Sequence, residues 1–165
     1  MAYRILVFNQ RPLGRFSPAE LLEDLRAVHY STLCRQYGLN PALISTAMEY
    51  LAVDGSEDVD LPYFIVRYQP ENQPPIVVSK VGLPEVWQGL SVKEQAILPG
   101  PVRSHLERVQ EAYSLALKEA QLFDLGLLLA YEIARWLAQS GEGLVFGLDG
   151  TWYRLNAFRA FIQVV

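Results

Sequence analysis

Residues 3–8 form a nearly continuous apolar run rich in branched and aromatic side chains, which is the pattern of a strand. A loop containing Pro12 and Gly14 follows. Ser17-Pro18-Ala19-Glu20 then sets a capping serine, a proline at the first helical position and a glutamate three residues after the cap. Leu21, Leu22, Leu25, Val28, Leu33 and Tyr37 continue at helical spacing, and Gly38 supplies a C-terminal cap, so one helix is expected here. Asn40-Pro41 opens a second helix carrying Leu43, Ile44, Ala47, Met48 and Leu51 on one side. An acidic connector, 54–60, leads to strands at 63–68 and 76–81, joined by a proline-rich loop. Residues 82–100 are fragmented by Pro84, Gly89 and Pro99 and carry no clear period.

From Pro101 the apolar positions return at spacings of four and three: Val102, Leu106, Val109, Tyr113, Ala116, Ala120, Phe123, Leu127, Ala130, Ala134 and Leu137. One helix with that stripe would be about 55 Å long, whereas helices average about 11–12 residues. Two helices or a kink are therefore expected, with Asp124 as a cap and Gly126 as the weak point. The second part, 122–137, is apolar on nearly every side, as a central buried helix would be. Strands at 144–148 and 151–155 flank Asp149-Gly150, a pair favoured in type I′ hairpin turns. The last strand alternates from Phe158 through Ala160, Ile162 and Val164. The order β-α-α-β-β, an unclear segment, then α-α-β-β-β predicts one α+β domain over 1–165, an antiparallel sheet with helices packed on one face.

Composition narrows the classes. Apolar residues make up 51% and charged ones 19%, against a usual level of about 25%, so the chain carries material for a packed core and is not a disordered tail. A net charge of −4 opposes nucleic-acid binding. The single cysteine, Cys34, rules out an internal disulfide framework and fits a reducing compartment. The apolar run 5–8 is too short for a signal-peptide core. The stretch 122–137 contains Asp124, Glu132 and Arg135, each costing about 2.5–3.5 kcal/mol at mid-bilayer, so no membrane span is expected and the expected location is cytoplasmic.

Several motifs are approached and missed. The helix pair around Gly38 has the apolar pattern of a helix-turn-helix, but 41–53 contains no Lys or Arg and an acidic run follows. Asp54, Ser56, Asp58 and Asp60 alternate like the start of a calcium loop, yet Val59 and Ile65 stand where glycine and glutamate belong. Gly141, Gly143 and Gly147 follow a helix and enter a strand, the reverse of a dinucleotide fingerprint, and helix termination accounts for the first two. Cys34 and His29 lie on different sides of their helix, so they make no nucleophile–base pair. Two histidines and one cysteine do not furnish a zinc site. No metal and no cofactor is expected.

Two sets of residues remain. Glu132, alone in the apolar helix with Arg135 one turn later, and His105 are the candidate buried ionisable groups. Arg4, Arg67, Arg154 and Arg159 each fall on an expected strand, and with Trp152 they suggest an arginine-and-aromatic sheet face open to a partner. The leading expectation is accordingly a non-catalytic interaction or regulatory domain that forms a homodimer through this face, or binds a protein partner or small anion there. The alternative is a small-ligand binder or enzyme whose site assembles only in three dimensions; a DNA-binding regulator ranks third. Trp136 is expected in the core and Trp152 on the open face.

Overall fold

The computed structural model describes residues 3–15, 17–55, 63–70, 72–83 and 97–165. Tyr3–Asn9 (β1) is apolar on both faces because it becomes a central strand. It pairs antiparallel with Glu111–Leu117 (β5) on one side, Ile5 opposite Leu115, and with Gly143–Phe146 (β6) on the other, Val7 opposite Val145. Ala52–Gly55 (β2), Tyr63–Arg67 (β3) and Ile76–Val81 (β4) extend the sheet beyond β5; Trp152–Leu155 (β7) and Phe161–Gln163 (β8) extend it beyond β6. The order β2-β3-β4-β5-β1-β6-β7-β8 is antiparallel throughout, so the fold is α+β.

Pro18–Arg26 (α1) starts as its sequence predicts, with Ser17 Oγ accepting the Glu20 amide at 3.3 Å. The helix does not run on to Gly38. It stops at Ala27, and Tyr30–Tyr37 (α2) begins afresh. Tyr30 swings its hydroxyl onto the Leu25 carbonyl at 2.5 Å, capturing an end-group that a continuing helix would have used itself. Gly38, at φ 67°, closes α2 as expected. Leu43–Tyr50 (α3) is the second expected helix, preceded by Asn40 Oδ1 accepting the Ala42 amide. The chain then enters β2, a strand where an acidic connector was expected; residues 56–60 of that connector lie outside the described residues.

The largest departure falls on 101–123. Gly100–Leu106 (α4) is short, and the chain re-enters the sheet as β5. Tyr113, Leu115 and Leu117 face one side of the sheet and Ala112 and Ser114 the other, all buried. A strand buried on both faces is apolar at every spacing, so the same residues also satisfied a helical stripe. After a 3-10 turn, Glu119–Phe123, Asp124 Oδ1 accepts the Gly126 amide at 2.7 Å and opens Gly126–Gly141 (α5). This is the nearly all-apolar helix, and it lies across β1, β5, β6 and β7.

With α1, α2 and α3 beside it, α5 covers one sheet face and forms the main core, which includes Ile5, Val7, Leu21, Cys34, Val78, Leu115, Ile133 and Val145. The expectation of helices on one face holds for these four; α4 packs on the other. There Val102 and Leu106 meet Phe8, Ala112, Leu144 and Trp152 in a second cluster. Trp152 lies on the face its alternation predicts, but that face is closed over it: the side chain is 6% exposed, with Phe8 and Phe146 rings at 5.4 and 4.7 Å. Trp136 is only half-buried.

Both C-terminal hairpins use the same loop. Gly147 and Thr151 enclose three residues, with the Gly150 amide donating to Gly147 O and Gly150 at φ 75°. Asn156 and Ala160 enclose three more, with Arg159 donating to Asn156 O and itself at φ 63°. The turn at Asp149-Gly150 is thus not type I′, since only its last residue is left-handed. No described helix is long and apolar enough to cross a membrane.

Candidate functional site

Glu132 and Arg135 stand three residues apart on α5 and so share its one outward edge. Arg135 Nη1 lies 3.4 Å from Glu132 Oε1. The guanidinium also rests over the Phe161 ring, 4.8 Å from its centroid. Phe161 is itself held edge-on by Tyr131 and Tyr153, at 6.0 and 5.8 Å. Those rings are fixed in turn: Tyr131 Oη accepts the Leu148 amide, and Tyr153 donates to Asp149 at 2.6 Å. Arg135 is therefore immobilised from two sides, yet its Nε–H is buried without an acceptor. Glu132 is 8% exposed, and burial pushes its carboxyl up from the ordinary value against the pull of Arg135 and Arg159.

Glu132 and Arg135 line a cleft of about 510 Å³. The break between α1 and α2 shapes one wall, presenting Asp24, Val28, His29, Thr32, Leu33 and Gln36; Trp136, Phe158 and Arg159 form the other. The side chains of Asp24, His29, Thr32, Gln36 and Arg159 make no hydrogen bond or ion pair among the described residues. The volume is in the range of sites for small organic molecules, and the mixture of apolar wall and few polar groups is typical of them.

A second cavity of about 460 Å³ lies beyond Arg159, lined by Gln10, His105, Glu142, Arg154 and Asn156 among others. His105 donates from Nε2 to the Phe8 carbonyl at 2.8 Å and accepts at Nδ1 from the Gln10 amide at 2.8 Å. Both ring nitrogens are engaged, the ring is neutral, and burial holds its pKa below the ordinary value. That arrangement positions α4 against β1 rather than offering a free base.

The residues singled out from sequence thus divide. Glu132 and Arg159 meet in the first cavity; His105, Arg154 and Arg159 meet in the second. Arg4 and Arg67 join neither. Arg4 is exposed on β1, four residues along from Phe8, and Arg67 pairs with Asp54 at 3.2 Å. By register Arg4, Arg67 and Arg154 share the sheet face of Trp152, but α4 closes that face over Trp152, and Arg159 stands in a loop rather than a strand. Sequence reasoning missed Phe161 as the seat of Arg135, and missed the α1–α2 wall, whose defining break has no punctuating glycine or proline. Cys34 is buried in the main core, where burial raises its thiol pKa. No cluster of three or more metal-ligating side chains occurs among the described residues. Comparison of the chain with protein families, with curated proteins and with solved structures finds no match.

Proposed function

We propose that this chain is a small-ligand-binding domain that takes a polar organic molecule into the cleft between α1–α2 and the β7–β8 turn. The observation that carries the reading is the cleft of about 510 Å³ itself, where the buried Glu132 and half-buried Arg135 meet apolar walls and the exposed polar side chains of Asp24, His29, Thr32 and Gln36. A concave site of this volume, mostly apolar with a few polar groups, suits a small organic molecule. The role is binding rather than turnover, in a reducing, cytoplasmic setting suited to a lone buried thiol.

Thermal-shift screening with small polar fragments tests this. Some compounds should raise the melting temperature of the wild type but not of Thr32→Trp, which fills the cleft from an exposed helical position. A screen without stabilising compounds, or one whose hits act equally on both proteins, would refute it.

Self-association is a second reading, favoured by Phe158, which is 90% exposed at the tip of the β7–β8 turn. A homodimer through this tip would scatter light as more than 18.7 kDa at micromolar concentration; the monomer mass at every concentration would dispose of it.

A further inference from the structure

Resting on the self-association reading and independent of the cleft, we infer that a second copy of this chain extends the sheet along β8, antiparallel and about a two-fold axis at Ile162. β8 is the end strand of the sheet. Its hairpin fixes which backbone groups are spoken for: the Asn156 amide donates to Ala160 O, and the Val164 amide to Trp152 O. Antiparallel bonding alternates along a strand, so Ala160, Ile162 and Val164 turn their backbone groups to β7, while Phe161 and Gln163 turn theirs outward. Among the described residues no hydrogen bond reaches those outward groups. Native sheets guard such edges with charge, proline or a covering element. β2, at the opposite edge, carries the Asp54 carboxylate tied to Arg67. The side chains of 160–165, Ala-Phe-Ile-Gln-Val-Val, bring neither charge nor proline.

The segment is complementary to itself, which favours a second copy over an unrelated peptide. Phe158 and Val165, each 90% exposed, are the most exposed large apolar side chains among the described residues, and they flank β8 on either side. A two-fold axis at Ile162 sets Phe161 opposite Gln163 of the second copy, and Gln163 opposite its Phe161, each pair exchanging two main-chain hydrogen bonds through the outward groups. The same axis sets Arg159 opposite Val165 of the second copy and so brings Phe158 beside that valine, once at each end of the pairing. Charge agrees, since no like charges stand opposite one another along β8. Arg154, which shares the row of Ile162, would lie three strand spacings from its counterpart, about 14 Å, beyond the screening length of about 8 Å at physiological salt.

A cysteine on the axis reads the geometry. The two copies of residue 162 form a non-hydrogen-bonded pair with Cα atoms about 4.5 Å apart, inside the range for a disulfide, whereas residue 163 does not face itself. In a glutathione redox buffer most of Ile162→Cys should become a linked dimer and little of Gln163→Cys; Cys34, buried in the main core, stays out of the exchange. Sedimentation equilibrium gives the second readout. Gln163→Pro removes only an outward N–H and should weaken dimerisation about tenfold. Ile162→Lys, which sets two ammonium groups side by side on the axis, gives the same reading should Gln163→Pro not fold. Preferential linking of Gln163→Cys would overturn the axis at Ile162. A dimer untouched by Gln163→Pro and Ile162→Lys but lost in Phe158→Ser would overturn pairing along β8 and leave association through the turn. The monomer mass at every concentration, with no linked dimer, would overturn both.

Discussion

The two faces of the sheet are buried by different means. One lies under four helices and shares a core that runs from Phe64 on β3 to Val145 on β6. The other has, among the described residues, one seven-residue helix over a cluster centred on Phe8, Ala112, Leu144 and Trp152. The broad face spreads its packing over many aliphatic side chains, whereas the narrow one concentrates it in a few rings. The lesson is that an alternating strand reports which residues share a face, not whether that face is wet.

This contrast can be broken most directly at Trp152. Trp152→Ala removes the ring that Phe8 and Phe146 contact and should destabilise by about 3–5 kcal/mol in chemical denaturation. A loss below about 1 kcal/mol would mean that the narrow face is no core at all. On the broad side, Trp136→Ala takes away a half-buried ring at the cleft rim and should cost less, about 1–2 kcal/mol by the same measurement. That order reverses the one expected from sequence.

Smaller effects test the margin where the broad face runs out into the two hairpins. Arg159→Gly should stabilise by about 1 kcal/mol by relieving a left-handed arginine. Gly150→Ala should destabilise by a similar amount, about 1 kcal/mol, for conformational reasons alone, because no atom lies within 4 Å of the added carbon. Equal signs for the two substitutions would show that the loops are not equivalent.

The smallest effects lie in the pH dependence, where the faces should differ in sign. Burial raises the Glu132 carboxyl on the broad side, so its ionisation opposes folding, and stability falls as pH rises through and above the ordinary value of 4.5. Glu132→Gln should therefore gain stability relative to wild type at pH 7, and the gain should disappear toward acid. On the narrow side burial lowers His105, so its contribution is present above 6.5 and is lost as pH falls below it. His105→Gln should flatten that part of the stability curve. Parallel pH profiles for the two variants would contradict the assignments.

What was legible in the sequence follows the same physics. Caps and punctuation were readable: Ser17-Pro18, Gly38 and Asp124 act where their chemistry demands. The strands at 63–67 and 76–81 and the buried character of α5 were readable from apolar runs. β5 was not, because a strand flanked by partners and covered on both faces loses its period of two. The α1–α2 break was hidden because a tertiary bond, Tyr30 to the Leu25 carbonyl, replaces a local signal. In the candidate site the Glu132–Arg135 spacing was visible. Its completion by Phe161 and Arg159 depends on a strand pairing that no local pattern encodes.

The central position of β1 bears on how the chain is assembled during synthesis. This strand is made well before its sheet neighbours β5 and β6, which lie far along the chain from it. Until those residues emerge, Ile5, Val7 and Phe8 have no sheet to enter, and an apolar segment with open backbone groups waits exposed. Closing so long a loop makes late, slow acquisition of structure the rule for this topology. The nascent chain is therefore a natural client for whatever shields hydrophobic segments at the ribosome, and a strand held at the centre of the sheet in the finished protein is an exposed one while being made.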